Sequence, residues 1–112
     1  MDVRVEAGVA ERLDVADAAD LMAAGRLVVS ALGDEVLVIR SRLGVLAYTN
    51  RCPHAGRSLG DARVRRRSLE CVGHGMRFDL GTGRAIGCRA SLRRWSAWIE
   101  QGRVWLSPPD VR

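Results

Sequence analysis

Two short clusters in this sequence combine residue types that bind metals. The first is Cys52-Pro53-His54 and the second is Cys71-Val72-Gly73-His74. They form a C-x-H pair, a spacer of sixteen residues, and a C-x-x-H pair. Both histidines of the chain and two of its three cysteines lie in this stretch. Each pair places a thiol and an imidazole on one tight turn, so two turns can grip one object from opposite sides. Two Cys and two His suit either a tetrahedral Zn²⁺ or a [2Fe–2S] cluster with mixed ligands. Spacing bears on the choice. Zinc fingers usually pair like with like, as C-x₂₋₄-C and H-x₃₋₅-H. Here each half contributes one sulfur and one nitrogen, as expected when two cysteines hold one iron and two histidines the other.

The elements around the pairs must position them. Arg26–Leu32, Glu35–Arg40 and Val45–Asn50 read as three strands of a meander, with turns at Gly33-Asp34 and Arg42-Leu43-Gly44. The meander ends directly at Cys52, so the first pair sits on a loop leaving a rigid platform. Ser68–Cys71 reads as a short strand into the second loop. Arg77–Leu80, Gly81-Thr82-Gly83 and Arg84–Ile86 follow as a hairpin. Glycines 56, 60, 73 and 75 let the two loops bend closely. Trp95–Glu100 and Arg103–Leu106 make a closing hairpin through Gln101-Gly102. Val3–Val5 reads as a short first strand. Residues 14–24 read as a helix capped by Asp14, with Gly25 past its end and an apolar face of Val15, Ala18, Ala19 and Met22. Phe78 is expected to cover the flank of the bound group or to anchor the core, the three tryptophans to pack in the core or at its rim rather than form a stacking or relay surface, and Cys88 to be a buried thiol rather than a spare ligand. The pattern predicts one all-β domain over residues 1–112: an antiparallel sandwich or partial barrel, one short N-terminal helix, and a ligand-bearing lobe at about 51–90.

Composition bounds the function. At 112 residues and 47% apolar, the chain can bury one modest core. It has no apolar run of eighteen residues and no basic-then-apolar start, which predicts a cytoplasmic protein without a membrane span. An odd cysteine count argues against a disulfide framework. Net charge is +5, and every basic residue is Arg. Residues 1–35 carry eight acids and three Arg, whereas residues 36–112 carry five acids and fifteen Arg. That basic part, with Arg63, Arg65, Arg66 and Arg67 between the pairs, can solvate the surface or steer an acidic protein partner. Scattered Arg with few aromatics among them do not read as a nucleic-acid surface. With both histidines in the pairs, none remains for acid–base catalysis, and no Gly-rich dinucleotide fingerprint is present.

The segments CPHAG and CxxHGxxFDLxTG resemble the cluster-binding segment of Rieske-type ferredoxins, tightly over 51–83 and more loosely over roughly 27–107. The resemblance implies one [2Fe–2S] cluster per chain held by Cys52, His54, Cys71 and His74, with the His-bound iron outermost. It implies a carrier rather than an enzyme, passing single electrons from a flavoprotein reductase to a terminal oxygenase. A Rieske-like accessory subunit of a nitrite reductase is a second implication, and a zinc-stabilised binding module is the reading outside the family. High-potential relatives carry a disulfide at places that look like Arg57 and Gly73, and Ser and Tyr at places that look like Met76 and Phe78. Without those hydroxyls the potential is expected low in the class, around −150 mV. Val72-Gly73 and Arg89 also stand where the family often has aromatic or proline residues.

Overall fold

The structure is a computed structural model and describes residues 11–53, 58–71 and 75–109. Among these residues nine strands and one helix follow in order: β1 (Leu13–Asp17), α1 (Ala18–Ala24), β2 (Arg26–Ala31), β3 (Asp34–Ser41), β4 (Gly44–Thr49), β5 (Arg63–Val64), β6 (Ser68–Glu70), β7 (Arg77–Asp79), β8 (Arg94–Glu100) and β9 (Arg103–Ser107). Six strands form one antiparallel sheet in the order β1-β9-β8-β4-β3-β2, and β5-β6-β7 form a second. The edge strands β1 and β2 approach each other, so the larger sheet is a nearly closed partial barrel. This is the expected all-β architecture with a smaller, inserted sheet.

The run Val36-Leu37-Val38-Ile39 explains why β3 is central. Successive side chains of a strand point to opposite faces. Val36 and Val38 enter a barrel core with Ala47, Trp95, Val104 and Leu106. Leu37 and Ile39 enter a second core shared with Leu46, Tyr48 and the small sheet's Leu69 and Phe78. A strand covered on both faces must be apolar throughout. The small sheet is attached through this second core. Leu69, fully buried on a strand of three residues, contributes roughly 1.5–3 kcal/mol by leaving water.

The meander matches the sequence reading to within about a residue, except that its first turn is Leu32-Gly33 rather than Gly33-Asp34. Two of the hairpin turns, Leu32-Gly33 and Gln101-Gly102, have positive φ at both of their positions (52° and 83°, 53° and 77°). That is the turn geometry whose twist matches paired strands.

The helix differs more. Residues 13–17 are strand β1, paired with β9 from Leu13↔Leu106 to Asp17↔Arg103. Asp14 does not cap a helix; its carboxylate accepts a hydrogen bond from Arg103 Nε at 2.8 Å. Partnership with a strand some ninety residues away overrides the local helical period. The helix starts at Ala18 and buries Ala18 and Leu21, while Ala19 and Met22 face solvent. Gly25 does end it, in the left-handed conformation (φ 83°), and donates to the Leu21 carbonyl. The expected strand at Val3–Val5 lies outside the described residues. Among the described residues, no helix is long and apolar enough to cross a membrane.

Candidate metal centre

The first pair hangs from the end of β4, and its loop is closed by Asn50. The Asn50 side chain accepts the Leu59 N–H at 2.6 Å and donates to Ser58 Oγ at 2.9 Å and to Glu35 Oε1 at 3.2 Å. Its own N–H donates to the Glu35 carbonyl. Residues 50 and 59 are thus held together, and Cys52-Pro53-His54 must lie on the loop between them. Beyond the loop, Arg26 reaches over from β2 and donates to the carbonyls of Gly60 (3.0 Å) and Ala62 (2.5 Å).

The second pair is closed in a similar way. The Cys71 N–H donates to the Met76 carbonyl at 2.8 Å, and the Gly75 N–H donates to the Cys71 carbonyl at 3.1 Å. The loop from Cys71 to Met76 therefore continues the β6–β7 hairpin, whose last paired residues are Glu70 and Arg77. Each loop is thus pinned at its two described ends.

Cys52 and Cys71 are 0% and 1% exposed and belong to the same apolar cluster, with Leu59, Ala62, Leu69 and Phe78. None of the three cysteines is disulfide-bonded. A buried thiolate without compensating charge is costly, so buried cysteines are either inert thiols or ligands of a cation. Their positions at the bases of two closed loops suit a group that takes sulfur from inside the fold. His54 and His74 lie outside the described residues, as do Arg57, Val72 and Gly73. Among the described residues, no three His, Cys, Asp or Glu side chains gather to hold a metal.

Phe78 is fully buried and bonds through its backbone to the small sheet, so its role as a core anchor holds. Met76 is half-buried against the same core. Neither brings a hydroxyl. Cys88 corrects the expectation of an interior thiol. It sits in the bend 86–89, outside any strand, and is exposed, because nothing among the described residues packs over that bend. Of the tryptophans, Trp95 is a core residue whose Nε1 donates to Thr49 Oγ1 at 2.8 Å. Trp98 and Trp105 instead flank the Arg12 guanidinium, at 5.6 and 5.3 Å, on the outer face of the β8–β9 hairpin.

Two polar residues escaped the sequence reading. Asn50 is one. Tyr48 is the other: its buried hydroxyl donates to the Leu80 carbonyl, joining the large sheet to the small one. Gly83 allows this closeness. Its φ is +80°, and a Cβ there would lie 3.1 Å from the Tyr48 ring and 3.3 Å from the Leu92 carbonyl. On the same turn, Asp79 Oδ2 accepts the Thr82 N–H at 2.9 Å, which holds the carboxyl below its ordinary value. The only sequence signal for Tyr48 and Asn50 was a polar group at a strand end beside a ligand pair.

The sequence profile of the Rieske [2Fe-2S] domain matches residues 11–96. No curated protein sequence matches the chain. Among solved structures, it is similar to the ferredoxin of carbazole 1,9a-dioxygenase from Nocardioides aromaticivorans IC177. The two are 27% identical with a TM-score of 0.76, over 87% of this chain and 97% of that one. It is also similar to a chain in a complex of reduced oxygenase and oxidised ferredoxin of carbazole 1,9a-dioxygenase (23%, 0.78, over 90% and 97%). A third likeness is to a protein assigned as the small subunit of an NADPH nitrite reductase (16%, 0.73, over 86% and 97%). At 23% and 16% identity the last two establish the fold alone. Taken with the profile match over most of the chain, the barrel and the inserted three-stranded sheet place this chain in the Rieske [2Fe-2S] domain family.

Proposed function

We propose that the chain is a one-electron carrier that receives electrons from a flavoprotein reductase and delivers them to a terminal oxygenase. Its [2Fe–2S] cluster, one per chain, would be held by Cys52, His54, Cys71 and His74. The observation that carries this reading is the burial of Cys52 and Cys71 at the bases of two loops, each closed by its own hydrogen bonds. That placement fits sulfur ligation on the inner side, leaving the histidine side outward. When bound, the cluster supplies reversible one-electron chemistry. The protein's part is to keep both thiols inside and to fix both loops. It also withholds hydroxyls at Met76 and Phe78, which favours a potential low in the class, about −150 mV.

The likeness to a dioxygenase ferredoxin over 97% of that chain supports a carrier in such a system. The nitrite reductase small subunit supports a second reading, as an accessory subunit of a larger reductase. The carrier is preferred because both cysteines of the ligand motif are present and buried. The test is iron, zinc and acid-labile sulfide on the purified protein, with EPR after dithionite. Two irons and two sulfides per chain, with a mixed-ligand signal lost in Cys52→Ser and His74→Ala, are expected. Zinc without sulfide would overturn the carrier reading. A stable stoichiometric complex with a reductase, in place of transient encounters, would favour the accessory subunit.

A further inference from the structure

Two turns far apart in sequence converge on one face. The end of β3 and the turn after it carry Arg40, Arg42 and Leu43, and the β5–β6 turn carries Arg65, Arg66 and Arg67. Between them run two adjoining grooves of about 440 and 300 Å³ that share Arg42 and Arg66. The walls are fixed to each other. Leu43 lies against Gly81, Tyr48 donates to the Leu80 carbonyl, and the Leu80 N–H donates to the Arg67 carbonyl at 2.8 Å. The cleft is therefore already formed and requires no ordering of loops.

Its charge is only partly answered from within. Arg65 pairs with Glu70 at 3.7 Å, and Arg67 acts on Asp79. Arg40, Arg42 and Arg66 make no ion pair among the described residues. Three exposed guanidinium groups beside two apolar side chains, Leu43 and Val64, suit one kind of ligand. Guanidinium forks match carboxylates, and the apolar floor suits the aliphatic stems of Asp- and Glu-bearing chain. Single-stranded nucleic acid would call for aromatic platforms, and none lines the cleft among the described residues.

We propose that this cleft docks an acidic segment of a partner protein, with Arg40, Arg42 and Arg66 as its carboxylate-binding side chains. The site is separate from the ligand loops. The Arg65–Arg67 turn lies at one end of the three-stranded sheet and Cys71 at the other, with the three residues of β6 between them, about 10 Å. The cleft stands whether or not a cluster is bound, so its failure and the failure of the carrier reading are separate results.

The test is fluorescence anisotropy of the full chain with a labelled oligoglutamate peptide, beside a labelled oligothymidylate of equal charge. Saturable peptide binding that weakens as ionic strength rises to physiological, where the screening length falls to about 8 Å, is expected. Arg42→Glu/Arg66→Glu should weaken it by about tenfold or more, and Arg42→Gln/Arg66→Gln by about threefold. Arg89→Glu/Arg93→Glu, at exposed arginines outside the cleft, should change it by less than about twofold. Circular dichroism melts establish that each variant is folded, and the Gln pair carries the test if the Glu pair does not fold. The proposal is overturned by absent peptide binding, by equal loss in the two Glu pairs, or by tighter binding of the oligothymidylate.

Discussion

The Tyr48 hydroxyl donates a hydrogen bond to the Leu80 carbonyl across the boundary between the two sheets. Burial pushes the phenol's pKa above its ordinary value of about 10; nearby Arg94 opposes the shift and Asp79 adds to it. The fold therefore favours the protonated phenol. Its contribution to stability is complete below pH about 10 and is lost as pH rises through the folded-state pKa. Tyr48 is the sole tyrosine, so its phenolate absorbance can be read without interference from others. That absorbance should appear at higher pH than for free tyrosine and should accompany unfolding. Tyr48→Phe should remove the signal and cost about 1 kcal/mol in urea denaturation. Titration near pH 10 in a protein that stays folded would contradict the assignment.

Asn50→Ala tests the closure of the first loop. The substitution strands the buried Leu59 N–H and removes two further bonds, to Ser58 and Glu35. A loss of roughly 1–3 kcal/mol is expected, measured by chemical denaturation. Ser58→Ala keeps the Leu59 bond and should cost less than about 1 kcal/mol. Equal losses would show that Asn50 acts only as a spacer.

Gly83→Ala and Gly102→Ala separate crowding from backbone strain. Both glycines have positive φ, +80° and +77°, so each alanine incurs about 1–2 kcal/mol. Only at Gly83 does the new methyl meet Tyr48 and Leu92; nothing lies within 4 Å at Gly102. Thermal melts should show Gly83→Ala worse by a further 1 kcal/mol or so.

Leu32→Asn should stabilise the protein. Leu32 holds φ +52° at the first position of a two-residue hairpin turn and exposes 53% of its surface. Asn tolerates that conformation, and the half-exposed leucine gives up only part of a side chain's burial, so a gain of about 0.5–1 kcal/mol is expected in a melt. A drop in the midpoint would mean that Leu32 makes a contact worth more than its strain.

The strands leading to Cys52 were legible because each is a short apolar run bounded by turn residues. The two Cys/His segments stand out in the sequence because their residue types are rare elsewhere in the chain. Residues 13–17 were not legible, because their structure is decided by pairing with Val104 and Leu106 at the far end of the sequence. Cys88 was misread for the opposite reason. Apolar residue type suggested burial, yet among the described residues nothing covers the bend at 86–89. The roles of Tyr48 and Asn50 depend on Leu80 and Leu59, and only folding brings these together. The convergence of Arg42 with Arg66 is equally invisible before the two sheets are docked.

The exposure of Cys88 has a practical corollary. Cys52 and Cys71 are shielded, so a maleimide reagent meets one accessible thiol per molecule. The same sulfur will couple copies into disulfide-linked pairs under aerobic handling unless a reductant is kept present. Under control, it is a natural point of attachment: a thiol-reactive surface would immobilise every copy through the same bend, in one orientation.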